Sequence, residues 1–109
     1  MENLLQEIVK EIDKKLVENM AIIDFRNQSP YVDYFVIVDA KNYRHAKSLV
    51  EAVDDKAAEL GLTRKYMSTS DSKWLVIDLN TIICHFFYDN ERYVYNLEGL
   101  WKDLPIQKM

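Results

Sequence analysis

Few residues in this 109-residue chain have side chains suited to chemistry, and they are scattered. Cys84 and His85 are adjacent, His45 follows Arg44, and Asp33, Asp39 and Asp78 stand beside apolar runs. A thiolate next to an imidazole would make a nucleophile and its base, or two ligands of a metal ion. Neighbours on a strand point to opposite faces, however, so Cys84 and His85 cannot share one substrate or one ion. Besides carboxylates only His45, Cys84 and His85 are on offer, too few for a metal site at workable spacing. His85 is better explained as a hydrogen-bonded structural or interface histidine, and Cys84 as a small buried apolar residue. Asp33, Asp39 and Asp78 could be assembled into a magnesium carboxylate set, but each sits at a strand edge, where capping or turn roles are commoner. Arg44 and His45 open a predicted helix, a place that can hold an anion. Solvated or ion-paired side chains are the more ordinary outcome there. Gly61 and Gly99 are isolated, so there is no phosphate-cradling loop. Arg64 and Lys65 alone make no nucleic-acid stripe.

Stepping along the chain shows what must position these groups. Leu4, Leu5, Ile8, Val9, Ile12 and Leu16 recur at helical spacing and predict a helix from residue 3 to about 18. MAIIDF (20–25) and DYFVIV (33–38) predict strands separated by a polar loop with Pro30. A second helix is expected from Asn42, a capping residue, to about Leu60, with Gly61 at the left-handed stop. Its length suits a crossover and hence some parallel pairing. Residues 63–67 predict an edge strand. KWLVIDL (73–79) and TIICHFF (81–87) predict two strands around a tight turn at Asn80, a residue that tolerates positive φ. Asp89 to Trp101 predicts a last helix, and a short tail follows over 103–109, with Pro105 ending any helix.

Composition bounds the function. The length fits a single domain over residues 1–109, with a core of about 4–102. Half the residues (49%) are apolar, which excludes a disordered chain. With 14 basic and 18 acidic residues the net charge is −4, which argues against a protein that holds nucleic acid by neutralising phosphates. It leaves room for a basic protein partner. One cysteine permits no internal disulfide and suggests a reducing compartment. No run is long enough to span a bilayer and no leader is evident, so a cytoplasmic location is expected, with no membrane partner.

The final pair of strands is the most informative feature. Trp74, Val76 and Asp78 share one face, as do Leu75, Ile77 and Leu79 on the other; Ile82, Cys84 and Phe86 alternate with Ile83, His85 and Phe87. Both faces are largely apolar. Three helices do not readily cover such a sheet twice, so either both faces are buried or one stays partly open. An open aromatic patch marks a protein-binding surface.

The order DYFVIV, Arg44-His45, WLVIDL, His85 and then ERYVYNLEGLW (91–101) resembles the Iojap family, the ribosomal silencing factors called RsfS, over about residues 4–102. The most specific part is Arg92, Tyr95, Leu97-Glu98 and Leu100-Trp101 in fixed spacing after a strand bearing a histidine. The resemblance implies an α/β fold, a mixed five-stranded sheet with helices forming a nucleotidyltransferase-like core without catalytic residues. It implies a non-enzymatic translation repressor with no cofactor. Such a protein would bind the large ribosomal subunit through a basic protein at the subunit interface, ribosomal large-subunit protein fourteen. It would block docking of the small subunit, with a further role in large-subunit maturation. Carried over by position, the contact residues are Trp74, Asp78, His85, Arg92, Tyr95, Leu97 and Glu98. Trp74, Tyr95 and Leu97 would be apolar anchors, and Asp78 and Glu98 would face basic groups. Arg92 and His85 have a second role open to them, tying the last helix to the sheet, and Trp101 would pack in the core. The chain departs from the family pattern at Asp39-Ala40 (usually Thr-Gly), Met67-Ser68 (usually Glu-Gly) and Asn80 (a hairpin glycine). Two alternatives stand beside this reading. One is a degenerate nucleotidyltransferase or nucleotide-binding protein using Asp33, Asp39 or Asp78 with magnesium. The other is a homodimer in which the hairpin face pairs with itself.

Overall fold

A computed structural model describes residues 2–17, 19–68, 73–89, 92–93 and 96–108, without the side chains of residues 2, 3, 98 and 108. In chain order the elements are α1 (Glu2–Asp13), β1 (Met20–Asp24), β2 (Tyr34–Asp39), α2 (Tyr43–Glu59), β3 (Tyr66–Met67), β4 (Trp74–Asp78), β5 (Ile82–Phe87), the single turn α3 (Leu97–Leu100) and β6 (Ile106–Lys108). The strands form one mixed sheet in the order β3-β4-β5-β2-β1-β6. β2 and β5 are parallel, joined through the α2 crossover, and the other neighbours are antiparallel.

The sheet has six strands where the sequence predicts five. The extra strand comes from the expected tail: Ile106, Gln107 and Lys108 pair with Ile23, Ile22 and Ala21. Three residues carry too little pattern to announce a strand. They become one because the far edge of β1 has unpaired backbone groups to satisfy. The Pro105 carbonyl opens the pairing by accepting from the Asp24 N–H at 2.9 Å.

The first helix is shorter than its apolar stripe suggests. It stops at Asp13, and Leu16 takes a positive φ of 59° and faces solvent. His45 explains part of this stop. Its Nδ1 accepts from the Lys41 N–H at 3.0 Å, so its proton sits on Nε2, which donates to the Lys15 carbonyl at 2.9 Å. An orphan carbonyl at the end of α1 is thereby satisfied from the start of α2. Both ring nitrogens of His45 are used on backbone, so none is left to hold an anion. Asn42 caps α2 as expected, its side chain accepting from the His45 N–H at 2.8 Å, and Gly61 takes the left-handed conformation beyond it.

Each face of the sheet has its own core. On one, Met20, Ile22, Tyr34, Val36, Val38, Leu75, Ile77, Ile82, Cys84 and Phe86 pack against Ile8 and Ile12 of α1 and Ala46, Leu49, Val50, Val53 and Ala57 of α2. On the other, Ile23, Phe25, Ile37, Phe87 and Leu97 form a second, smaller cluster, flanked by Phe35, Trp74, Trp101, Leu104 and Ile106. Among the described residues no long helix lies there.

The β4–β5 hairpin turns at Asn80, with φ of 82° and its N–H on Asp78 Oδ1 at 2.7 Å. Asn is one of the few side chains that accept this conformation cheaply. Asn80→Gly should leave the thermal midpoint unchanged or raise it slightly. Asn80→Val should cost about 1–2 kcal/mol by denaturant unfolding, because a β-branched residue is strained in the left-handed region.

Candidate partner-binding face

The register places nine residues of β4, β5 and β2 in three ranks on the face opposite the long helices. Asp78, Ile83 and Phe35 make one rank; Val76, His85 and Ile37 the next; Trp74, Phe87 and Asp39 the third. His85, Ile37 and Phe87 are buried, whereas Trp74, Val76, Asp78, Ile83 and Phe35 are half-buried. An apolar strip two strands wide is thus left open, with Asp78 at its rim. Trp101 covers the β1 side, packing edge-on against Phe25 and Phe35 with ring centroids 5.2 Å apart in both cases. Nothing comparable among the described residues lies over Val76 and Ile83.

The rings of the face form a continuous chain. Phe35 lies 4.5 Å from Phe25 and 4.7 Å from His85, and Trp74 stacks on Phe87 at 5.1 Å. His85 sits at the middle. Trp74 Nε1–H donates to His85 Nδ1 at 3.0 Å. An indole nitrogen can only donate, so Nδ1 must be unprotonated and the ring's proton lies on Nε2. That Nε2 is buried and has no hydrogen-bond partner. A buried donor left unmatched costs about 1–3 kcal/mol. Burial among these rings also pushes the imidazole pKa down to about 4, since charging it there would strand a cation out of water. Cys84 points to the opposite face, and burial pushes its thiol up to about 12. The two adjacent residues serve separate cores.

Arg92 is buried and its Nη1 meets Asp39 Oδ2 at 3.1 Å. Asn19 also donates to that carboxylate, at 3.2 Å. Arg92 therefore ties the C-terminal segment to the end of β2. Asp39 supplies the acceptor. The expected helix over 89–101 is not continuous: Asn96 takes φ of 48°, and its side chain accepts from Gly99 to start α3. Leu97, expected as an apolar anchor, is only 9% exposed and belongs to the second core. It holds the segment down rather than standing out from it. Tyr95 lies outside the described residues, as does the side chain of Glu98, although its backbone is part of α3. Trp101 packs on the core.

Asp33, Asp39 and Asp78 do not converge. Asp33 and Asp39 flank the whole of β2, about 20 Å apart at the usual rise per residue. Among the described residues no three His, Cys, Asp or Glu side chains come together as metal ligands. A cavity of about 710 Å³ opens beside the β1–β6 edge against α1, away from Trp74. Its charges are mixed, Lys10 and Arg26 against Asp13 and Asp24, and Arg26 holds the Asp24 carboxyl below its usual range with a 2.8 Å contact.

The sequence reasoning missed Val76, Ile83 and Phe35 as members of the face. The alternation that groups Trp74 with Val76 and Asp78 carries the signal for the first. The alternation of Ile83 with His85 and Phe87, joined to β4 by the hairpin register, carries it for the second, and Phe35 alone needs the parallel β2–β5 register.

Residues 1–109 match the family model described as ribosomal silencing factor during starvation. The chain belongs to the RsfS family. It is 33% identical over 95 residues to the ribosomal silencing factor RsfS of Bacillus subtilis, covering 86% of this chain and 80% of that protein. It is 30% identical over 105 residues to the RsfS of Halalkalibacterium halodurans, covering 95% and 90%. A crystal structure from Bacillus halodurans matches all of both chains, with a TM-score of 0.84 and 27% identity. The mixed sheet is therefore that of a solved relative. No helix among the described residues is long and apolar enough to cross a membrane.

The burial of His85 has a measurable consequence. Unfolded histidine takes up a proton near its ordinary pKa of 6.5, whereas the folded ring resists until about 4. Between those values the unfolded state holds more protons, so stability should fall as pH drops from about 6.5 to 4, by on the order of 2–3 kcal/mol. Denaturant unfolding at several pH values checks this. His85→Phe should remove that part of the slope and leave the carboxylate part.

Proposed function

We propose that this chain is a translation repressor that docks on the large ribosomal subunit through the open strip of the sheet and keeps the small subunit from joining. The observation that carries the reading is the half-buried set Trp74, Val76, Ile83 and Phe35 beside the buried Ile37, His85 and Phe87. Monomers rarely leave a contiguous apolar strip uncovered without a use for it. Membership of the RsfS family supplies the class of partner. The partner is the basic protein at the subunit interface, ribosomal large-subunit protein fourteen. A net charge of −4 favours its encounter, and the apolar strip holds the complex.

Trp74 is the central anchor, with Val76, Ile83 and Phe35 around it. Asp78 faces a basic group, although one of its oxygens already serves the Asn80 turn. Tyr95 and Glu98 extend the contact along the C-terminal segment. Arg92, Leu97 and His85 act from beneath by holding that segment and the anchor in place. Residues 1–109 act as one unit in the cytoplasm. The nucleotidyltransferase-like reading of the core is compatible with a sheet whose aspartates are spread to opposite ends, and such a core works here as a docking surface rather than as an enzyme.

Co-sedimentation with purified bacterial large subunits tests this. The protein should pellet with them and lower the yield of joined ribosomes when small subunits are added. Trp74→Ala should weaken binding by about 2–4 kcal/mol, or roughly thirty- to a thousandfold, while the melting curve stays cooperative. A folded Trp74→Ala protein that binds as tightly as the parent would sink the assignment of this face.

A further inference from the structure

We infer that His85 is a positioning residue for Trp74: its buried Nδ1 fixes the indole in the orientation that the docking face presents. The inference rests on the docking reading above and specifies how its anchor is held.

The geometry is specific. Trp74 and His85 lie on neighbouring strands in adjacent ranks, and Nε1–H meets Nδ1 at 3.0 Å. Phe87, directly opposite Trp74, stacks on the indole at 5.1 Å with planes 25° apart. The stack restrains the plane of the indole, and the hydrogen bond selects which way its nitrogen edge points within that plane. Trp74 is half-buried, so its remaining surface is presented outward in a set rotamer. A large aromatic anchor already ordered before docking loses little freedom on binding.

The other ring nitrogen sharpens the point. Accepting from Trp74 forces the proton onto Nε2, and Nε2–H is buried without an acceptor. A phenylalanine or leucine would fill this interior position without burying an unmatched Nε2–H, but would take away the acceptor of the Trp74 indole N–H. Unmatched buried polar groups in a native fold call for a reason. Holding the indole is a task that an apolar residue cannot perform. Among the described residues no charged partner explains the histidine instead. The charged groups nearest along the face are Asp78, in the rank of Ile83, and the Asp39–Arg92 pair, in the rank of Phe87. The rings against the imidazole are Phe35, Trp74 and Phe87, and burial alone keeps it neutral.

Three variants on the full chain test the inference. His85→Phe keeps a ring of similar bulk and removes the acceptor. His85→Asn places Oδ1 where Nδ1 stood. Trp74→Phe removes the indole N–H and identifies its resonance among the two tryptophans. In nitrogen-15 spectra, His85→Phe should shift the Trp74 indole N–H resonance and speed its solvent exchange by about tenfold or more, with His85→Asn restoring much of the protection. Affinity for purified large subunits should fall about tenfold in His85→Phe and recover in His85→Asn. In the Trp74→Phe background, His85→Phe should change affinity by less than about twofold, because the interaction it removes is already gone.

An unchanged indole resonance and unchanged affinity in a folded His85→Phe protein would overturn the inference and leave the docking reading intact. So would an equal loss of affinity from His85→Phe in both backgrounds, which would mark a general packing role. If Trp74→Ala binds as the parent does, or the parent does not bind, the docking reading fails and takes this inference with it. The indole spectra would then still record the hydrogen bond.

Discussion

A sheet that is apolar on both faces must be covered twice, and the two long helices among the described residues lie on the same side. Everything else about the molecule follows from that shortfall. The helices α1 and α2 cover one face with Ile8, Ile12, Leu49, Val50 and Val53. The second face receives only a short C-terminal segment, whose Leu97, Trp101 and Leu104 reach the β1–β2 side. At the β4–β5 side the cover from the described residues runs out. The strip that remains is too apolar to be an ordinary wet surface, yet its alternation cannot be changed without disturbing the core behind it. Leu75 and Ile77 are fully buried on the reverse side of the strand that displays Trp74, Val76 and Asp78.

The partial cover is held by two devices of different kinds. One is electrostatic: Arg92, 7% exposed, meets Asp39 at the C-terminal end of β2. A buried pair of this sort adds little net stability, because both groups lose water, but breaking it leaves a charge stranded. It therefore fixes where the segment lands more than it strengthens the fold. The other is aromatic: Phe25, Phe35 and Trp101 meet in tilted and edge-on contacts near 5 Å, the geometry that ring quadrupoles favour. Phe35 belongs to both worlds. Its ring touches Trp101 under the cover and His85 in the open strip, so the cover and the strip share a wall.

Where the sequence was legible, a local pattern matched a local cause. The α2 boundaries follow from Asn42 and Gly61, the hairpin from Asn80, and the opposite faces of Cys84 and His85 from the pleat alone. The failures share one cause, which is that a distant residue decides the outcome. Leu16 fits the stripe of α1, yet the Lys15 carbonyl is claimed by His45, thirty residues away, and the helix has already stopped. Ile106 to Lys108 has no strand pattern worth naming and becomes a strand because β1 offers an edge. The stretch 89–101 has helical spacing, but Asn96 goes left-handed and caps a new turn, which lowers Leu97 into the core. The face itself was half legible. Alternation groups Trp74 with Val76 and Asp78, and Ile83 with His85 and Phe87 across the local hairpin, whereas Phe35 joins them only through the parallel register of strands far apart in sequence.

The distribution of polar groups bounds the chemistry that the second face can do. Catalysis on a scaffold like this would need carboxylates converging on a small volume, where neighbouring charges could shift their pKa values or hold an ion. Here Asp33 and Asp39 stand at opposite ends of β2, Asp39 is engaged by Arg92 and Asn19, and Asp78 is engaged by the turn at Asn80. The Asp39 and Asp78 carboxylates each have a local structural task. Among the described residues the strongly perturbed polar group on the open side is His85, and the cause is burial. A histidine tuned for proton transfer would have access to substrate and a partner to receive its proton. This one has an indole on one nitrogen and packed rings around the other. Its chemistry is to remain neutral and accept, which makes it suited to holding a side chain still and unsuited to moving a proton.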